Sequence, residues 1–303
     1  MRLWADEEWR AGALAWARDE LERLGRPIAG APDQFHVRPW STIFRIPTAD
    51  GVVYFKAVPR QLSHEVRLTA WLARQFPDRV LLVLAADDRR GFMLFPDGGV
   101  RLRDAGAGLG AWCQVVAGYA ELQLLVAPRL SELLALGVPD RRLRLLPKAL
   151  AAMMPGQREE LLARYAALCD ELAAIGLPDT LQMDDFHDGN VFLDRERLRV
   201  FDWGDASVAH PFFSLRMILE TAAKRLAVSP DGLEIRRVRD TYLERFNGFA
   251  AISDLRTAAV LAHRIVPTFR MVAWQLAYAE ADHPDQWVET LEDLLEQQRS
   301  ALV

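Results

Sequence analysis

Cysteine is scarce in this chain of 303 residues: there are two, Cys113 and Cys169, each inside an apolar helical pattern. That excludes a disulfide framework, and the absence of a Cys-x-x-Cys pair excludes the usual thiolate metal spacing. Both read as buried core thiols. An excess of positive charge is also missing. Lys plus Arg number 37 against 42 Asp plus Glu, a net charge of −5. A protein that coats a nucleic-acid duplex normally shows the opposite sign, so no nucleic-acid partner is expected. Mild acidity suits a cationic small partner but decides little. The first residues, Met1 to Trp9, turn acidic at once and lack the apolar stretch of a signal peptide. In the first hundred residues the longest apolar stretch, Val80 to Ala86, is far shorter than the ~20 residues of a membrane span. Repeats, low-complexity tracts and flexible linkers are absent. The expectation is a cytoplasmic protein with no membrane partner.

What is present is an ordinary globular balance, 51% hydrophobic and 26% charged, which rules out disorder as the main state. Trp4 to Leu24 reads as an amphipathic helix ended by Gly25 and Pro27. The period then changes to two. Strands are expected over Phe35–Arg38, Thr42–Ile46 and Val52–Val58, the last two joined at Asp50-Gly51, a hairpin signal. A helix over Gln61–Gln75 and strands over Val80–Ala85 and Gly91–Phe95 follow. From Gly108 the pattern is helical: Leu109–Val126, Leu130–Leu136, Arg141–Met153, Gln157–Ile175, and a set from Phe213 to the C-terminus. The predicted fold class is α+β with two lobes. Residues 1–97 form a small antiparallel-sheet lobe with a leading helix, and residues 98–303 a larger helical lobe. The boundary falls where Pro96, Gly98 and Gly99 cluster.

One stretch interrupts the helices. Thr180 to Val208 reads as loop, strand (Val191–Leu193), tight turn (Asp194–Arg197), strand (Leu198–Phe201), loop. It carries Asp185, then Asn190 five positions on, then Asp202 twelve further. A hairpin returns its end to its start, so Asp202 can lie beside Asn190. Two oxygen-bearing side chains beside a carboxylate suit a hard cation such as Mg²⁺ with substrate phosphates. The third carboxylate can accept the proton of an attacking hydroxyl. The same three residues are also ordinary turn formers. Upstream, Lys56 interrupts the apolar strand Val52–Val58, and Glu65 stands nine positions later near the start of the next helix. The lysine is either at a sheet edge or held for a phosphate, and Glu65 can pair with it across the strand–helix packing. Preference for acid at a helix start also explains Glu65.

With these residues in this order, the sequence resembles the aminoglycoside phosphotransferase and choline-kinase-like family, small-molecule kinases with a protein-kinase-like fold. The carrying segments are Val53–Val58 around Lys56, Asp184–Leu193 and Phe201–Ala206. The family's His-Gly-Asp-x-His-x-x-Asn loop is matched by Met183 to Asn190, and its Asp-Trp/Phe-Gly triplet by Asp202-Trp203-Gly204. The resemblance implies an ATP- and Mg²⁺-dependent transfer of the γ-phosphate to a hydroxyl of a small molecule of the amino sugar, aminoglycoside or amino alcohol class. It implies Asp185 as catalytic base and Asn190 and Asp202 as magnesium ligands. Lys56 would hold the α/β-phosphates, with Glu65 as its ion-pair partner. Met93 to Asp97, including Phe95 and Asp97, would be the connector whose backbone meets adenine. Ser41 and Thr42 would cover the phosphates, because the first hairpin has no glycine-rich loop. Met183 replaces the usual His, where altered packing of the loop is expected. These two departures leave a catalytically idle, nucleotide-binding regulator of the same fold as the alternative.

Acceptor contacts are expected from Asp184, His187 and Asp188, each of which has a bland reading as a loop-packing or solvated group. Asp205 is expected to brace the loop through backbone N–H groups. Arg264, Arg270, Trp274, Tyr278, Glu280 and Asp282 lie on or near one long helical pattern expected on the acceptor side, and Arg270, Trp274 and Tyr278 recur at i, i+4, i+8 and share a face. Trp274 and Tyr278 could receive an ammonium group through cation–π attraction or belong to the core.

Overall fold

A computed structural model describes residues 2–153, 159–194 and 197–278. Helix α1 (Arg2–Ala5) and helix α2 (Glu7–Arg23) replace the single leading helix. The break is Asp6, whose carboxylate accepts the Trp9 N–H at 2.7 Å and caps α2. Strands β1 (Asp33–Arg38), β2 (Ser41–Thr48) and β3 (Gly51–Ala57) follow, with Gly51 at φ 128° in the β2–β3 turn. Helix α3 is His64–Gln75, and β4 (Ala85–Asp87) and β5 (Phe92–Pro96) complete a five-stranded antiparallel sheet in the order β1-β2-β3-β5-β4.

The strand expected over Val80–Ala85 is displaced to β4. Val80 instead bridges Val200, and the Leu81 N–H donates to the Val200 carbonyl at 3.1 Å. An apolar run looks like a strand whether it joins its own sheet or crosses to another element.

Alternation sorts β3 between two cores. Val53, Phe55 and Ala57 pack with Ala13, Ala17 and Leu21 of α2 on one face of the sheet. Val58 on the other face joins Leu62, Val66, Met93 and Phe95 beneath α3. Lys56, two residues from Val58, shares that second face. A strand that is apolar on both faces thus aims its one charge at α3.

The helical part contains α4 (Leu109–Val126), α5 (Leu130–Ala135), α6 (Leu146–Met153), α7 (Glu159–Ala174), α8 (Leu215–Leu226), α9 (Leu233–Leu243) and α10 (Ile252–Tyr278). The helix expected from Arg141 begins only at Leu146, after a 3-10 turn over Leu143–Leu145. Pro147 lacks an N–H and suits only the first turn. The stretch Leu109–Ala135 is long and apolar enough to cross a membrane, and half of its apolar 18-residue window is buried. Its α4 portion buries Trp112, Val115, Val116, Tyr119 and Leu122 in the helical core, alongside the thiol of Cys169.

Three short strand pairings hold the interrupting stretch. Strands β7 (Thr180–Gln182) and β10 (Ser207–Ala209) pair antiparallel, as do β8 (Val191–Asp194) and β9 (Arg197–Val200). Strand β6 (Val100–Arg101) pairs with β8 and ties the exit of the first sheet to the hairpin. The hairpin falls where the sequence placed it. Strands β6, β7 and β10 carry no visible signal, because two or three residues are too few for a period.

Candidate active site

Two loops lie between these pairings, one from β7 to β8 and the other from β9 to β10. Register brings them together: Gln182 faces Ser207 at one end and Val191 faces Val200 at the other. Asp185 and Asn190 sit in the first loop and Asp202 in the second. The Phe201 N–H donates to the Asn190 carbonyl at 3.1 Å, closing the gap between them.

Lys56 reaches this point from β3. Its Nζ donates to Glu65 Oε1 at 2.5 Å and to Asp202 Oδ1 at 2.6 Å. Lys56 and Glu65 are buried, at 4% and 2% exposure, whereas the Asp202 side chain is 40% exposed. Burial penalises the ammonium, but Asp202 and Glu65 together overcome it and raise the Lys56 pKa. Burial pushes Glu65 up to about 7 against the pull of Lys56. For Asp202 burial acts upward too, and the Lys56 charge overrides it to give a lowered pKa. Asp202 has φ 69°, in the left-handed region that costs a non-glycine residue energy. Two residues on, a Cβ at Gly204 would stand 2.8 Å from Glu65 Oε2. A side chain there would push against the Glu65 carboxylate that holds Lys56.

Asp185 is held by its backbone and stays open at its side chain. Its N–H donates to the Asp205 carboxylate, and its carbonyl accepts Asn190 Nδ2 at 3.0 Å. Its side chain is 47% exposed. Burial, and then the neighbouring Asp185 charge, push the Asp205 pKa well above the usual carboxylate range. His187 Nδ1 accepts the Gly189 N–H at 2.8 Å, which leaves Nε2 as the protonated nitrogen. Nε2 faces Asp185 Oδ2 at 3.4 Å.

Met183 is buried and its N–H points to Tyr119 Oη and Ser214 Oγ, at 3.1 and 3.3 Å. The loop is therefore braced through the backbone where the family pattern has a His side chain. Phe186, two residues past Asp184, stacks on Tyr119 with ring centroids 4.1 Å apart.

Lys56, Glu65, Asp185, Asn190, Asp202, Asp205 and Ser41 all line one cavity of about 440 Å³. Thr42 lies beside it but is turned away, its hydroxyl donating to the His36 carbonyl and accepting from Gln34. Phe95 is packed beneath α3, and Asp97 caps a turn through the Gly99 N–H at 2.9 Å. Asp184 and Asp188 are each 2% exposed, so neither is a solvated loop acid. Asp188 meets Arg103 at 3.3 Å and also Arg225. Asp184 Oδ2 meets Arg270 Nε at 3.3 Å. Trp274 and Tyr278 fall on α10, but their side chains lie outside the described residues, as do Glu280 and Asp282. A larger cavity of about 640 Å³ between α8, α9 and α10 includes Arg264 and none of the loop residues.

Sequence reasoning missed Arg141, His64 and the cavity position of Arg270. Arg141 follows Pro139 and Asp140 in an irregular segment with no period to read. Its N–H donates to the Val208 carbonyl at 2.8 Å, beside the second loop. Burial pulls its pKa down to about 10 while Asp184 and Asp205 oppose.

Asn190 and Asp202 offer oxygen donors to the same cavity. Among the described residues no group of three or more His, Cys, Asp or Glu forms a metal cage. Two protein oxygens completed by phosphate oxygens and water suit Mg²⁺, so the residues present fit that ion.

Comparison with known families settles the kinship. The family model of the phosphotransferase enzymes termed APH matches residues 25–259. The chain belongs to the APH phosphotransferase family. Among solved structures, the macrolide 2'-phosphotransferase MphH from Brachybacterium faecium is 16% identical. That alignment covers 91% of this chain and 97% of that one, with a TM-score of 0.61. A choline/ethanolamine kinase family protein from Mesorhizobium loti is 13% identical, with coverage of 96% and 95% and a TM-score of 0.64. The streptomycin–ATP–APH(2")-IIa ternary complex is 15% identical, with coverage of 95% and 98% and a TM-score of 0.59. No curated protein sequence matches. The APH chain thus has the two-lobed, protein-kinase-like α+β fold of its neighbours, with the loop pair set between sheet and helices.

Proposed function

We propose that this APH protein transfers the γ-phosphoryl group of ATP, with Mg²⁺, to a hydroxyl of a small molecule. The observation that supports it most is Lys56 bonded at once to Glu65 and Asp202 in the cavity that Asp185 and Asn190 also line. Residues 1–97 serve as the nucleotide-binding lobe and residues 98–303 carry the catalytic loop and acceptor helices. Phe95 and Asp97 mark the connector that meets adenine through its backbone. The streptomycin–ATP complex of a structural neighbour supports ATP as donor. Neighbours named for macrolides and choline support a small-molecule acceptor, and the family resemblance suggests an amino-bearing one.

Lys56, positioned by Glu65, binds the α/β-phosphates, and Ser41 covers them from the β1–β2 turn. Asn190 and Asp202 would hold Mg²⁺, which when bound neutralises charge on the phosphate oxygens. Asp185 orients the acceptor hydroxyl and takes its proton as the oxygen bonds to the γ-phosphorus and the bond to ADP breaks. The open carboxylate of Asp185, with His187 Nε2 beside it, suits that role. The products are a phosphomonoester and ADP.

Thermal unfolding tests this reading. Mg²⁺–ATP should raise the midpoint of the wild type by an amount set by concentration over Kd. The magnesium-dependent part should vanish in Asp202→Asn. A wild type indifferent to every nucleotide would refute the proposal. Nucleotide binding with no ADP release against any hydroxylated acceptor would favour the idle regulator.

A further inference from the structure

The cavity has one wall that phosphate binding does not use. Arg141 and Arg270 line it together with Asp185. Arg141 is 5% exposed. Its Nη1 is sealed from solvent, and among the described residues its side chain makes no hydrogen bond or ion pair; the Phe269 ring lies 5.7 Å away. A buried cation without hydrogen-bond partners is costly. The carboxylates nearby are engaged elsewhere. Glu65 and Asp202 hold Lys56, Asp205 accepts the Asp185 amide, and Asp184 meets Arg270. The open carboxylate that remains is Asp185, the proposed base.

We propose that Arg141, supported by Arg270, recognises an oxyanion on the acceptor, so that the hydroxyl substrate carries a carboxylate or phosphate group. This rests on the phosphotransferase reading above and replaces the amino-bearing acceptor that the family resemblance suggests. A planar guanidinium matches both oxyanions with paired N–H donors. An ammonium-bearing acceptor would instead meet a like charge at the wall. Arg141 touches the acceptor and leaves the nucleotide to Lys56.

The probes are malonate and inorganic phosphate, each titrated calorimetrically into the Mg²⁺–ADP-loaded protein, with tetramethylammonium as the cationic control. One or both oxyanions should bind, and the stronger of the two identifies carboxylate or phosphate as the native group. Arg141→Gln should weaken the oxyanion at least tenfold, and Arg141→Lys less, with Mg²⁺–ATP affinity within threefold of wild type in both. Retained Mg²⁺–ATP binding certifies that the variants fold; if Arg141→Gln does not fold, Arg141→Lys carries the comparison. Binding of tetramethylammonium alone overturns the proposal. So does an equal loss of ATP affinity, which would make Arg141 a ligand of the nucleotide. If the wild type binds no nucleotide, the phosphotransferase reading fails by itself. Malonate titrated into nucleotide-free wild type and Arg141→Gln then still decides whether the subsite exists.

Discussion

The two halves of the site are anchored by different means. Lys56 and Glu65 stand on a strand and a helix, so ladder register and packing fix them: Lys56 pairs with Ile43 and Met93 across the sheet, and both charges are buried. Asp185 and Asp202 stand on irregular backbone, and Asn190 ends a single 3-10 turn over Asp188–Asn190. There, side-chain acceptors and short strand pairs do the work of a ladder: Asp205 holds the Asp185 N–H, and Tyr119 and Ser214 hold that of Met183. The first half obtains order from regular structure at the cost of burying an ion pair. The second keeps its carboxylates open to substrate and must satisfy its backbone residue by residue.

Substitutions can break that contrast. The largest effect is expected at the open carboxylate. Asp185→Asn should slow ADP release by about 10²- to 10⁴-fold while the Mg²⁺–ATP shift in unfolding midpoint survives. A rate near wild type would remove Asp185 from the role of base.

At the buried pair, the penalty should fall on stability. Lys56→Met strips Glu65 of the charge that lowers its pKa, so that pKa rises beyond about 7. Ionised Glu65 is then the costly form, and stability is lost as pH rises from the unfolded value near 4.5 through the folded one. Breaking a buried pair costs about 3–5 kcal/mol. Urea unfolding should show a larger deficit against wild type at pH 8 than at pH 6; an equal deficit would mean that Glu65 is already neutral.

A smaller effect separates the loops from the core beneath them. Burial lowers His210 to about 3 and His64 to about 4, with like charge from Arg141 adding at His64. Their contribution is complete above the unfolded value near 6.5 and is lost as pH falls from there through 4 and 3. His210 Nδ1 accepts the Phe212 N–H at 3.2 Å, a bond that Asn can replace. His210→Asn should therefore flatten the acid limb of the stability profile measured by urea unfolding. An unchanged limb would place the titration elsewhere.

Smallest is Tyr119→Phe. The Met183 N–H keeps Ser214 Oγ, so the loss should be about 1 kcal/mol. Asp185-dependent turnover should change less than stability does. A collapse in rate would show that the loop depends on the Tyr119 hydroxyl itself.

Much of this molecule was legible in the chain. The β2–β3 hairpin followed from Asp50-Gly51 between alternating residues. Lys56 stood out because a single charge broke an apolar strand. Asp185, Asn190 and Asp202 stood out because polar turn residues flanked a short hairpin inside a helical region. The strand assigned to Val80–Ala85 failed for a physical reason. Val80 and Leu81 bury themselves by crossing to Val200, and burial leaves the same trace in sequence whichever partner provides it.

What the sequence determined by itself was therefore local: strand faces, the hairpin, and the order of chemistry-bearing residues. Only the tertiary structure decided which charges meet. It joined Lys56 to Asp202 across 146 positions, buried Asp184 against Arg270, and left Arg141 on the cavity wall. Periodicity reports whether a side chain is buried, because burial acts on each residue through its own surface. A charge's partner is chosen by how distant elements pack, and that leaves no period in the chain.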